Sequence, residues 1–250
     1  MLQLDVALLS DRGGREYNED ACGHWQSERQ LCCVLADGAG GHGGGDIASR
    51  LAVRELIGRF AQDPPQDGAA LADLVMQLNS ALRAQQLPGT PQQDMHSTVV
   101  CLVLDFIDPS ALWAHVGDSR LYWFRSGRLL RRTRDHSLVQ GLIDAGMLAE
   151  ADVRGHPQRS ELRSALGVTN EQLEVSASAA GESVLPGDVF LLCTDGLWEY
   201  VDDDAMAASL TAAATPRDWL DDLAAAVRHA ARAKASHDNF TALTVWTQAA

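Results

Sequence analysis

Leu31-Cys32-Cys33-Val34-Leu35-Ala36-Asp37-Gly38 is the stretch from which the rest of the chain can be understood. Its apolar run reads as a strand. Asp37 is expected to end that strand, with Gly38 letting the chain turn and present its own carbonyl oxygen. The same pattern recurs where Phe190-Leu191-Leu192-Cys193-Thr194 meets Asp195-Gly196, and where the run at 111–116 meets Gly117-Asp118-Ser119-Arg120. Asp20 closes Arg15-Glu16-Tyr17-Asn18-Glu19-Asp20, and Asp238 sits in His237-Asp238-Asn239 just before the last apolar run. An aspartate after a strand is by itself an ordinary turn former. Carboxylates gathered at several strand ends, however, repel one another unless something cationic lies between them. Mg²⁺ and Mn²⁺, which prefer carboxylate, carbonyl and water oxygens, are the natural partners of such a set, and Asp37 is the best candidate to bridge two of them.

Around these acids, apolar runs rich in β-branched residues mark strands at 4–9, 21–26, 31–36, 97–105, 111–116, 120–125, 188–193 and 240–247. Arg125-Ser126-Gly127-Arg128 should turn a hairpin after the strand at 120–125, and Pro186-Gly187-Asp188 should turn the chain into the strand at 188–193. Helical spacing appears at 46–60 (Ala48, Ala52, Leu56, Phe60) and at 68–86 (Leu71, Leu74, Val75, Leu78, Leu82). A third helix opens at Thr215-Pro216-Arg217-Asp218, an N-cap followed by a proline at the first helical position and an acid. Strands in runs with helices grouped between them predict an α+β fold with mostly antiparallel sheet.

The chain has 250 residues, is 46% hydrophobic and carries a formal charge of −14. Its length suits one large domain or two small ones, and its apolar content suffices for a core. The acidity argues against nucleic acid and anionic membranes as partners, and bound metal would neutralise part of it. Cys22, Cys32, Cys33, Cys101 and Cys193 are odd in number and lie mostly inside strand-like runs. They are expected to be reduced, buried thiols of a cytoplasmic protein, not a zinc site or disulfides. The N-terminal residues lack the pattern of a signal peptide, and no apolar stretch is long enough to span a membrane.

From Ser10-Asp11-Arg12-Gly13 to Asp238-Asn239-Phe240-Thr241, the motifs and their order resemble those of the metal-dependent protein phosphatases, the PPM or type 2C family of serine/threonine phosphatases. The resemblance implies a four-layer α-β-β-α sandwich in a single domain over 1–250. It also implies a small flap subdomain at about 136–174, beginning at Asp135-His136-Ser137 and containing His156-Pro157-Gln158-Arg159. It implies that Asp195 and Asp238 bind one Mn²⁺ or Mg²⁺, that Glu19 and Gly38 contribute to a second, and that Asp37 bridges both with Asp20 in the same shell. Asp118 would help bind a third, weaker ion; capping a hairpin is its plain structural alternative. Two metals can lower the pKa of a shared water and clamp the oxygens of an in-line displacement, so phosphoserine and phosphothreonine would be hydrolysed by a metal-activated water without a phosphoenzyme.

Arg15 matches the arginine whose fork binds two phosphate oxygens, although its turn from Gly13 is one residue shorter than in many members. His42, in the glycine-rich stretch after Asp37, is a candidate general acid. Ala39 stands where eukaryotic members have histidine, which favours a metal-bound water or a loop-stabilising role for His42 over a histidine acid. His96, where glycine is usual, is expected to be a local variation. As a whole the resemblance implies a monomeric bacterial signal-transduction enzyme acting on phosphorylated proteins and countering a cognate serine/threonine kinase. A non-catalytic pseudophosphatase would lack metal ligands, and a partner-switching sporulation-type phosphatase would lack the flap; neither lack is seen.

Overall fold

The computed structural model describes residues 1–40, 44–234 and 236–250; His42 lies outside the described residues. One sheet has the order β1 (Leu2–Asp11), β12 (Phe240–Ala249), β11 (Val189–Cys193), β7 (Arg120–Arg125), β8 (Arg128–Arg132). The other runs β10 (Glu182–Ser183), β6 (Ser110–Val116), β5 (Val99–Asp105), β3 (Gln30–Ala39), β2 (Asp20–Gln26), with β4 (His96–Ser97) on β3 and β9 (Ser176–Ala177) on β6. Every pairing between these strands is antiparallel.

The layering follows from the two-residue period of a strand. Leu31, Cys33 and Leu35 of β3 join Val100, Leu102, Trp123, Phe190, Leu192 and Leu243 in a core between the sheets. Their neighbours Cys32, Val34 and Ala36 point outward, against α1 (Gly45–Gln62) and α2 (Gly68–Arg83). On the far side, Tyr122, Phe124, Leu191 and Cys193 pack under α4 (Asp195–Trp198), α5 (Asp203–Ala212) and α6 (Pro216–Ala231). The result is helices, sheet, sheet, helices. Sheets apolar on both faces can exist only with such cover, which explains why the strands read as unbroken apolar runs. All five cysteines are free and four are buried in strands, as their context implied.

Helix α6 starts as predicted, with Thr215 Oγ1 accepting from the Asp218 N–H at 3.1 Å. The β7–β8 turn is made by Ser126 and Gly127 at φ of 52° and 72°, the primed geometry that suits a two-residue hairpin. Helix α5 has no clear sequence signal because its alanines blur the apolar stripe; Asp202 caps it by accepting from the Ala205 N–H at 2.7 Å. Segment 136–174 belongs to neither sheet. It holds α3 (Leu138–Asp144) and a 3-10 turn at Glu150–Gly155, closes on itself through the bridge Ser137↔Leu162, and touches the body through the bridge Ser97↔Leu166.

Three local expectations are corrected. β3 does not stop at Asp37: it runs on to Ala39, because Gly38 and Ala39 pair with Ser97 and His96. Asp195 is not in a turn but is the first residue of α4. Asp118 does not cap a hairpin, since β6 and β7 lie in different sheets and the Gly117–Ser119 link crosses between them.

Candidate metal centre

Asp37 and Asp20 face each other as direct partners in the β3–β2 ladder. Directly opposed residues in an antiparallel pair have Cα atoms only about 4.5–5.5 Å apart, so two like charges are forced together by register alone. Asp195 arrives from the end of β11, Asp238 from the entry to β12, and Asp118 from the crossover between the sheets. Asp20 and Asp118 are buried, whereas Asp37, Asp195, Asp238 and Glu19 are half-buried around them.

Their protonation behaviour reflects this crowding. Burial, then the charges of Asp20, Asp195, Asp118 and Asp238, hold the Asp37 carboxyl well above the usual carboxylate range. Burial together with Asp118, Glu199, Asp238 and Asp20 does the same to Asp195. Asp20 is pushed up to about 7 by burial, against hydrogen bonds from Thr241 and Thr194 that favour its charged form. Asp118 also rises to about 7 through burial and the nearby Asp135, opposed by Arg120. Glu19 is raised by burial, Asp46 and Asp238.

The main chain that carries these acids is held closely. Asp37 N–H donates to Thr98 Oγ1 at 2.9 Å, and Asp37 C=O accepts from Ser97 Oγ at 2.9 Å and from Thr98 N–H at 2.8 Å. Thr194 Oγ1 donates to Asp20 Oδ2 at 3.0 Å while accepting from Thr241 N–H at 3.0 Å, which ties β2, β11 and β12 together. Asn239 Oδ1 accepts from Glu19 N–H at 2.8 Å, and its amide donates to the carbonyls of Arg12 and Tyr17. Asn18 accepts from Asp20 N–H and donates to Ser10 Oγ, so it holds the loop together.

The glycines of the motifs are there for close approach. A Cβ on Gly38 would sit 2.0 Å from Gly45 O and 2.7 Å from Glu19 O, and one on Gly196 would sit 1.9 Å from Asn239 O. These contacts press the start of α1 onto the Glu19 loop, and the start of α4 onto the Asp238 loop. His96 bonds through Nδ1 to the Leu166 carbonyl at 3.2 Å, a structural contact.

Arg15 sits at the rim, 56% exposed, and donates to Asp238 Oδ2 at 2.7 Å. The sequence did not anticipate this pairing, which places the guanidinium beside the carboxylates. It also did not single out Glu199, which lies close enough to raise Asp195 and is paired to Arg159 of segment 136–174 at 2.6 Å. Nor did it single out the buried fork of Arg120 on Asp135. A charged residue leading the apolar run Leu121-Tyr122-Trp123-Phe124 was the signal that a buried partner must exist.

The donor set fits hard divalent cations. Asp20 Oδ1 and Asp195 Oδ1 are buried without any hydrogen-bond partner, an expensive arrangement for carboxylate oxygens unless a cation meets them. Among the described residues, no three His, Cys, Asp or Glu side chains already form a closed cage for an ion. A cavity of about 370 Å³ is lined by residues of segment 136–174 and of α5 together with Arg120, Asp135 and Trp198, and none of the clustered acids lines it. No helix among the described residues is long and apolar enough to cross a membrane.

The family model described as Protein phosphatase 2C matches residues 10–238. The chain is similar to the serine/threonine protein phosphatase PstP of Mycobacterium tuberculosis, with 34% identity over 210 residues that make up 84% of this chain and 39% of PstP. It therefore spans about two fifths of that relative's length. Among solved structures, serine/threonine phosphatase Stp1 from Staphylococcus aureus superposes with a TM-score of 0.86 at 28% identity, covering 99% of this chain and 96% of Stp1. The catalytic domain of PstP in complex with two manganese ions superposes with a TM-score of 0.80 at 28% identity, covering 100% of both chains.

Proposed function

The chain belongs to the protein phosphatase 2C family, and on that premise we propose that it hydrolyses phosphoserine and phosphothreonine in proteins with Mn²⁺ or Mg²⁺. The observation that carries the reading is the convergence of Glu19, Asp20, Asp37, Asp118, Asp195 and Asp238, two of them with buried, unpartnered oxygens. Asp37, Asp195 and Asp238 are the first candidates to hold the ions, with Asp37 shared, Glu19, Asp20 and Gly38 supporting, and Asp118 serving a weaker third ion. When bound, such ions supply charge neutralisation for the phosphoryl oxygens and a more acidic water.

The chain's own residues do the rest. Arg15 can offer its fork to two phosphate oxygens while staying within reach of Asp238, so it orients the ester at the mouth of the acidic pit. The hydrogen bonds of Thr98 and Asn239 fix the carboxylate-bearing main chain, and that of Thr194 fixes the Asp20 carboxylate, before substrate arrives, which is what preorganisation requires.

Segment 136–174 serves as the flap in a single domain over 1–250. The presence of this flap and of the full carboxylate set leaves the sporulation-type and pseudophosphatase readings without an observation in their favour. We further take the protein to be a cytoplasmic monomer that counters a cognate serine/threonine kinase in signal transduction. The test is hydrolysis of a phosphothreonine peptide by purified protein after exhaustive chelation and again after Mn²⁺ is restored. Turnover should vanish and return; turnover that survives chelation would overturn the reading.

A further inference from the structure

The Gly117-Asp118-Ser119-Arg120 link crosses between the sheets without a ladder of its own, yet its main chain is gripped at several points. Gly117 N–H donates to His136 Nδ1 at 3.2 Å, and Gly117 C=O accepts from His136 N–H at 2.9 Å. His136 is buried and stacked on His115 at 4.5 Å, with Nε2 on Ser176 Oγ at 2.9 Å. Asp118 C=O accepts from the indole N–H of Trp198 at 2.9 Å. Ser119 Oγ bonds to Thr98 Oγ1 at 2.7 Å, the same hydroxyl that accepts from the Asp37 amide.

Trp198 stands on α4, the helix that Asp195 begins, so its indole joins the Asp195 helix to the Asp118 main chain. What orients the indole is a buried charge. The Arg120 guanidinium lies 3.6 Å from the Trp198 ring centroid and forks onto both Asp135 oxygens at 2.8 Å, with Nη1 donating to Tyr122 OH at 3.2 Å. A buried ion pair adds little net stability over apolar residues of similar size, so stability alone gives no reason for this one. A planar fork stacked on an aromatic face does, however, fix direction in a way an aliphatic side chain does not. Asp135 stands where segment 136–174 leaves the body, so the same contact roots that segment beside Asp118.

We propose that Arg120, Asp135 and Trp198 form a buried clamp that sets the main chain of Asp118, and with it the reach of its carboxylate toward the ion it serves. They are positioning residues and touch neither substrate nor metal. The proposal rests on Asp118 being an ion ligand, as read above.

Trp198→Phe tests it by keeping a ring under Arg120 and deleting the N–H. The Mg²⁺ concentration for half-maximal turnover should rise about fivefold, the worth of one hydrogen bond. Calorimetry should still count two tight ions, and the substitution should add nothing on an Asp118→Asn background. Arg120→Lys, which keeps the charge and loses the fork, should shift the requirement in the same direction. If Asp118→Asn shifts the Mg²⁺ requirement and Trp198→Phe does not, the clamp is overturned while the ligand reading stands. If Asp118→Asn shifts nothing, the ligand reading fails and takes the clamp with it. Should Trp198→Phe not fold, the parent protein decides: its ¹⁵N-indole resonance for Trp198 should move in the weak phase of a Mg²⁺ titration. A resonance that stays still there would overturn the proposal.

Discussion

Replacing Asp37 by asparagine should make the chelated protein more stable while abolishing its turnover. Asp37 and Asp20 are direct ladder partners. With their carboxylates taken at the Cα spacing of such a pair, about 5 Å, they repel by about 3 kcal/mol at an effective dielectric of about 20. The Asp20 carboxyl is itself raised to about 7, chiefly by burial with Asp238 adding to it, so the charges of this cluster are held at a cost to the fold whenever no cation is present. Asparagine keeps the side-chain size and removes one charge, so a gain of about 3 kcal/mol at pH 8 in chelator is expected, or a rise in melting temperature of about 6–12 °C.

The sign with pH follows from the raised carboxyls. Their neutral forms favour the fold at low pH, and that stability is lost as pH climbs from the unfolded value of 3.8 through about 7. The gain of Asp37→Asn is therefore largest at pH 8 and fades toward pH 4. With Mn²⁺ restored, the parent should recover stability and the variant should recover much less. Thermal melts of both proteins across pH, with chelator and with Mn²⁺, provide the assay. Equal melting of the chelated proteins at pH 8, or a gain that persists undiminished at pH 4, would refute the reasoning.

Arg15→Ala should raise KM for a phosphothreonine peptide about tenfold or more and lower kcat, because the phosphate loses a two-pronged contact, with Arg15→Lys restoring only part; steady-state kinetics would check this. Gly196→Ala drives a Cβ to 1.9 Å from Asn239 O and should weaken Mn²⁺ binding as Asp195 is pushed from Asp238. It should also cost about 1–3 kcal/mol in urea unfolding, as overpacking generally does. Zn²⁺ or Ca²⁺ added to the chelated enzyme should not restore turnover where Mn²⁺ does, since the described acids are a hard oxygen set; metal-replacement assays decide it.

How far the sequence led can be judged element by element. Apolar runs such as 31–36 and 188–193 announced strands of a mostly antiparallel sheet, the four-layer arrangement came from the family resemblance, and Thr215-Pro216 announced the start of α6. Asp37, Asp118 and Asp195 could be named because each follows an apolar run, whereas Glu19, Asp20 and Asp238 were named from motifs that resemble the family's. Where local chemistry is ambiguous, the sequence misled. Gly38 resembles a turn glycine, but β4 pairs with it and the strand continues; its missing Cβ instead makes room for Gly45 O. Gly117 at φ 95° looks the same whether a chain folds back in a hairpin or crosses to another sheet, and only long-range pairing distinguishes them. The contacts of Arg120 with Asp135 and Trp198 join residues far apart in sequence, so no periodicity reveals them. The Arg15–Asp238 pair was invisible for the same reason.

A crystal grown with Mn²⁺ and measured at the manganese edge tests the central claim most directly, because anomalous difference peaks locate the ions without reference to activity. The expected result is two strong peaks flanking the Asp37 carboxylate, one of them also touching Asp195 and Asp238. Manganese bound elsewhere, or an Asp37 that contacts no ion, would contradict the account.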